Sequence, residues 1–225
     1  VIPLRDENPV RIVPVVSYAI LLACLLVFAW QTSLSDAGER RIMIGLGLIP
    51  AVLFGHAVLP PPLELVPPIA SVFTSMFLHG DILHLAGNML FLWIFSDNVE
   101  EALGHVRFVL FYALCGVAAA LAQALPDTAS QVPMIGASGA VSGVLGAYVL
   151  LYPHARVLVM LPVGFVLQPV RLRAVVVLGI WFLFQLVSSF VTGGDGGVAF
   201  RAHLGGFVGG MLLLPLIRPS LFFRR

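Results

Sequence analysis

The stretch GASGAVSGVLGAYVLLY, residues 136–152, carries no charge and lies in one of the most apolar parts of the chain. It sets a hydroxyl, Ser138, between small residues at the start of a segment composed like a membrane span. At 1.5 Å per residue it covers about 25 Å, short of a hydrocarbon core about 30 Å thick. Pro153, His154 and Arg156 fix its far end near one membrane surface. The Ser138 end therefore begins below the other surface. Ser138 then sits in a first helical turn, where N–H groups lacking partners accept an anion.

The rest of the chain has the same character. Of 225 residues, 60% are hydrophobic and 10% charged, against about 25% charged in soluble domains. Mean hydropathy is +1.03. So little charge cannot cover a water-facing surface, and the chain reads as an integral membrane protein. A net charge of +1 offers nothing to nucleic acid. Cys24 and Cys115 stand in separate apolar runs without metal-type neighbours and read as core fillers. The first apolar run is long, with no small-residue cleavage site and soluble domain after it, so no cleaved signal peptide is expected.

Six segments have the length and composition of spans: 12–30, 81–98, 104–125, 136–152, 172–191 and 199–217. The expected fold is all-α, a polytopic six-helix membrane bundle forming one domain over 1–225 with its core at 71–217. Residues 31–70 form a long first connection with Pro50, Pro60, Pro61, Pro62, Pro67 and Pro68. It reads as a loop with short helices in or on the interface; a seventh span is the alternative. The chain has twelve arginines and no lysine. Six spans put Arg5, Arg11, Arg107, Arg156, Arg171, Arg173, Arg218, Arg224 and Arg225 on one side, and Arg40, Arg41 and Arg201 on the other. That excess places both termini in the cytoplasm and the Ser138 end toward the outside.

Gly139, Gly143 and Gly146 recur at i, i+4 and i+7. In AHLGGFVGG, residues 202–210, Gly205 and Gly209 are four apart, as are Gly206 and Gly210. Two helices faced with glycine can approach backbone to backbone, which brings His203 to Ser138. The glycines alone fit plain tight packing better, with Ser138 bonded within its own helix. An ionisable His203 inside an apolar span points to function, since a neutral imidazole can take the serine proton and return it to a leaving amine. Asp81, Asp127 and Asp195 fall at segment ends and Asp97 on the opposite side, so the pair is read as a dyad without a carboxylate. In HGDILHLAGN, residues 79–88, His84 and Asn88 share one helix face. They are either donors to an oxyanion or an interhelical bond that holds helices together. His79, His84 and His203 lack a carboxylate or cysteine to complete a metal site.

Together HGDILHLAGN, GASGAVSG and AHLGGF resemble the rhomboid family of intramembrane serine proteases, in order and spacing, from about 71 to 215. DNVEEALGH, with Glu100 and Gly104, is similar too, and the long first connection resembles the family's membrane-embedded loop. The resemblance implies Ser138 as nucleophile, His203 as general base, and His84, Asn88 and the Ser138 amide as the oxyanion site, with Gly136 shaping the loop. It implies no cofactor and no metal. The implied partners are the lipid bilayer and single-span or polytopic membrane-protein substrates, and the implied location is a prokaryotic plasma membrane. The chain departs from the family in two places. It has no counterpart of the Trp-Arg pair some members carry in the loop, and it has Ser142 where many place an aromatic residue against the histidine ring. The competing readings are an inactive relative that binds and escorts membrane proteins, and a small transporter or channel, which would favour charged residues in its spans or broken paired helices.

Overall fold

The computed structural model describes residues 2–163, 166–191 and 199–222. Asp195, Arg224 and Arg225, which entered the sequence reading, lie outside them.

Helix α1 (Val15–Thr32) is followed by the short α2 (Asp36–Leu46), α3 (Pro50–Leu53) and α4 (Pro68–Thr74). Then come α5 (Ile82–Leu103), α6 (His105–Ala124), α7 (Ser138–Leu151), α8 (Ala174–Val191) and α9 (Phe200–Ile217). Helices α1, α5, α6, α8 and α9 are long and apolar enough to cross a membrane, and α7 is the short sixth member. Its 14 residues reach about 21 Å. The chain is an integral, multi-pass helical membrane protein. The first connection holds only short helices, as its prolines lead one to expect: the 11 residues of α2 span about 16 Å.

The sequence reading did not anticipate a sheet. Strands β1 (Ile2–Asp6), β2 (Arg156–Val163) and β3 (Val166–Arg173) form an antiparallel sheet in that order. β3 takes the residues assigned to the start of the fifth span, so α8 begins at Ala174. Val157 and Val159 are fully buried on one face. Arg156 pairs with Arg173, and Leu158 with both Arg171 and Arg5, on the other. The N-terminal segment and the α7–α8 connection therefore lie on one side of the bundle. Tyr148 Oη donates to Asp6 Oδ2 at 2.6 Å and fastens β1 beneath α7.

Glu100 ties α5 to the start of α1. Its buried carboxylate accepts from the amides of Val16 and Ser17 at 3.0 and 2.7 Å and from Ser17 Oγ at 2.6 Å. It thereby serves donors that the first turn of α1 leaves without partners. Gly104, at φ +80°, turns the chain from α5 into α6. Cys24 and Cys115 are fully buried and pack the core.

At the centre, α7 lies against α9 without intervening side chains. A Cβ on Gly206 or Gly210 would overlap the carbonyl of Gly139 or Gly143, and one on Gly146 would overlap that of Phe207. On the far side of α9, Gly205 and Gly209 admit Ala122 and Ala118 of α6. Both glycine stripes of residues 202–210 are thus used, one against each neighbouring helix.

Candidate active site

The loop entering α7 is held from two sides. Met134 exchanges two backbone hydrogen bonds with Leu48, at 3.0 and 2.7 Å, and Gly136 N donates to Ser75 O at 2.9 Å. Gly136 has φ +115°, and a Cβ there would sit 2.7 Å from His84 Nε2. Both the backbone conformation and the space demand glycine. Ser138 is the first residue of α7, so its N–H is among those without an intrahelical partner.

His203 occupies the first turn of α9, one turn before Gly206. Its Nε2 lies 2.8 Å from Ser138 Oγ. Its Nδ1 lies 2.7 Å from Oε1 of Gln185 on α8. An amide oxygen only accepts, so in this network the ring proton resides on Nδ1 and Nε2 accepts from the serine hydroxyl. Trp181, one turn before Gln185, sets its ring 6.0 Å from the imidazole, and Phe200 meets the ring edge-on at 6.3 Å. Ser142 turns away, its Oγ donating to Ser138 O at 2.6 Å.

His84 and Asn88 approach the same loop from α5. Asp81 caps α5, accepting from Leu83 N and His84 N at 2.8 Å. These bonds hold its carboxyl below the ordinary carboxylate range, His84 N having the larger effect. Gly80 N donates to His84 Nδ1 at 3.4 Å, which leaves Nε2 to carry the ring proton beside Gly136. Asn88 is buried and its Nδ2 has no hydrogen-bond partner among the described residues. Two donors, one of them buried without an acceptor, therefore border Gly136, two residues before Ser138. A cavity of about 40 Å³ lies alongside, lined by Ser138, Gly136, Met134, Ala119 and Ala202 among others.

All five residues singled out from sequence, Ser138, His203, His84, Asn88 and Gly136, thus border one region. His79 stands apart in role. Its ring meets His84 edge-on at 5.2 Å, while its backbone exchanges two bonds with buried Gln31 and its Nδ1 lies 3.2 Å from Phe77 O. The sequence reading missed Gln185 and Trp181. The available signal was a lone amide in the apolar run WFLFQL, residues 181–186, since a polar side chain inside a span needs a partner.

The fold and site define a class: polytopic membrane proteins with a serine–histidine pair at the start of a short central helix. The chain belongs to the rhomboid family, its residues 68–220 matching the Rhomboid domain. Over 151 residues, 63% of this chain and 40% of the relative, it is 33% identical to Rhomboid protein 1, mitochondrial, of Saccharomyces cerevisiae. It is 29% identical over 151 residues to RHOMBOID-like protein 5 of Arabidopsis thaliana, covering 66% of this chain and 45% of that one. Identity to Rhomboid protease GluP of Bacillus subtilis is 31% over 139 residues, 62% of this chain and 24% of the relative. The matched part is less than half the length of each of these relatives.

Proposed function

We propose that the protein is an intramembrane serine endopeptidase that cuts membrane-spanning segments of other proteins, acting as one membrane domain with both termini in the cytoplasm. The observation that carries this is the 2.8 Å approach of Ser138 Oγ to His203 Nε2 at the start of α7. Ser138 Oγ attacks the scissile carbonyl carbon while its proton passes to Nε2. The carbonyl oxygen becomes an oxyanion, stabilised by His84 Nε2–H, Asn88 Nδ2–H and the Ser138 amide. His203 then gives its proton to the leaving amine, and the C–N bond breaks to leave an ester on Ser138. Water, deprotonated by His203, hydrolyses that ester and frees the serine.

A helical peptide bond is shielded by its own hydrogen bonds, so the substrate must open before attack. Glycine lowers helix stability by about 1 kcal/mol relative to alanine and proline by about 3 kcal/mol. Segments with such residues near the outer membrane boundary are the expected substrates. The cavity of about 40 Å³ beside Ser138 favours a small side chain at the cut. The test is purified protein in detergent with a generic single-span reporter, beside Ser138→Ala. Cleavage by the wild type and none by Ser138→Ala is the expected result. Comparable cleavage by Ser138→Ala overturns the assignment. Reporter binding without cleavage by the wild type replaces it with the escort reading.

A further inference from the structure

We propose that Gln185 is the positioning residue of His203, accepting the Nδ1 proton so that the bare Nε2 faces Ser138. With Trp181 it makes α8 the element that orients the ring. The inference rests on the reading of Ser138 and His203 as nucleophile and base.

Four observations carry it. The Nδ1–Oε1 distance is 2.7 Å, and Gln185 is only 6% exposed, so little water competes for the bond. Trp181 and Gln185 are four apart on one face of α8, and both reach His203. The residue one turn after the nucleophile contributes nothing to the ring, because Ser142 Oγ is committed to Ser138 O. Among the described residues, no carboxylate bonds to His203.

The need for such a partner follows from the imidazole itself. A neutral ring carries its proton on either nitrogen, and which one is set by the bond the other makes. With the proton on Nε2, the ring presents N–H to Ser138 and cannot accept the hydroxyl proton. The Gln185 oxygen stabilises the productive tautomer. Being uncharged, it does less than a carboxylate for the imidazolium that forms during attack. Gln185 therefore secures geometry and tautomer without adding charge.

Other groups approach the ring from the neighbouring helices. α7 offers Ser138, α8 Trp181, α6 Gln123 through its bond to the Ala202 amide, and α9 Phe200, with Arg201 two residues before His203 in the chain. On α5, His84 is the titratable neighbour. None of these changes when residue 185 is replaced, so a displaced pH profile reports position 185.

The experiment compares wild type, Gln185→Leu, Gln185→Glu and Ser138→Ala, reading kcat and KM on a single-span reporter across pH, with melting as the fold control. Gln185→Leu is expected to lose about 10²-fold in kcat, the low end of general-base contributions, with KM unchanged. Gln185→Glu restores an acceptor and adds a charge that favours the imidazolium. It is expected to recover turnover and to move the acid limb of the profile upward by about one pH unit or more. A purely structural role predicts lower melting without any displacement of that limb. Gln185→Glu provides this readout even if Gln185→Leu fails to fold. Wild-type kcat in folded Gln185→Leu, or a Gln185→Glu profile that overlays the wild type, overturns the inference while inactive Ser138→Ala leaves the dyad reading standing. Cleavage by Ser138→Ala overturns both.

Discussion

Alanine at Gly206 tests whether the backbone contact between α7 and α9 sets the site. The added Cβ would lie 2.9 Å from the carbonyl carbon of Gly139 and closer still to its oxygen. Carbon atoms in contact rest at about 3.5–4.0 Å, so the helices must part by about 1 Å. Neither neighbouring atom can swing aside, because both belong to the backbone of α7. His203 stands one turn from Gly206 and shares its face, so it moves with the strained contact. Its bond to Ser138 is 2.8 Å, and a further 1 Å takes it beyond the usual limit of about 3.2 Å. Misplacement of that size costs about 10²-fold in rate, and overpacking of this kind about 1–3 kcal/mol in stability. The assay measures reporter turnover per folded molecule and melting in detergent, beside Gly179→Ala on α8. A Cβ at Gly179 meets nothing within 4 Å, so this control should keep turnover. Gly206→Ala protein that turns over at the wild-type rate would refute the idea that this contact holds the dyad in register.

Two other perturbations probe the surroundings. Asn88→Ala is expected to lower kcat by about 10²-fold, the low end for one oxyanion donor, with little change in KM; lower melting with undiminished turnover per folded molecule would assign Asn88 to helix packing. His79, in the turn before α5, is held down to about 4, chiefly by burial and then by His84. Because the ordinary histidine value is about 6.5, the unfolded chain binds this proton first. Stability from His79 is therefore full above about 6.5 and is lost as pH falls toward about 4. Melting followed through that window should slope less in His79→Gln than in wild type, and parallel curves would exclude the effect.

The membrane class, the spans and the candidate site residues were legible along the chain. Length and composition of apolar runs are read along the chain, and α1, α5, α6 and α9 begin and end within a few residues of the segments so identified. The pairing of α7 with α9 was also legible, because backbone approach requires glycine on both partners and leaves two matching stripes. The sheet was not legible: in RVLVMLPV, residues 156–163, apolar residues fall on both faces, so the alternation that marks a half-buried strand is missing. Only the tertiary structure joined α8 to the site. Gln185 lies 18 residues from His203, and no local spacing announces a bond between different helices. The same holds for His84, Asn88 and Gly136. Each was a candidate on its own element, but the fit of two α5 donors against a left-handed glycine two residues before Ser138 arises only when the helices pack.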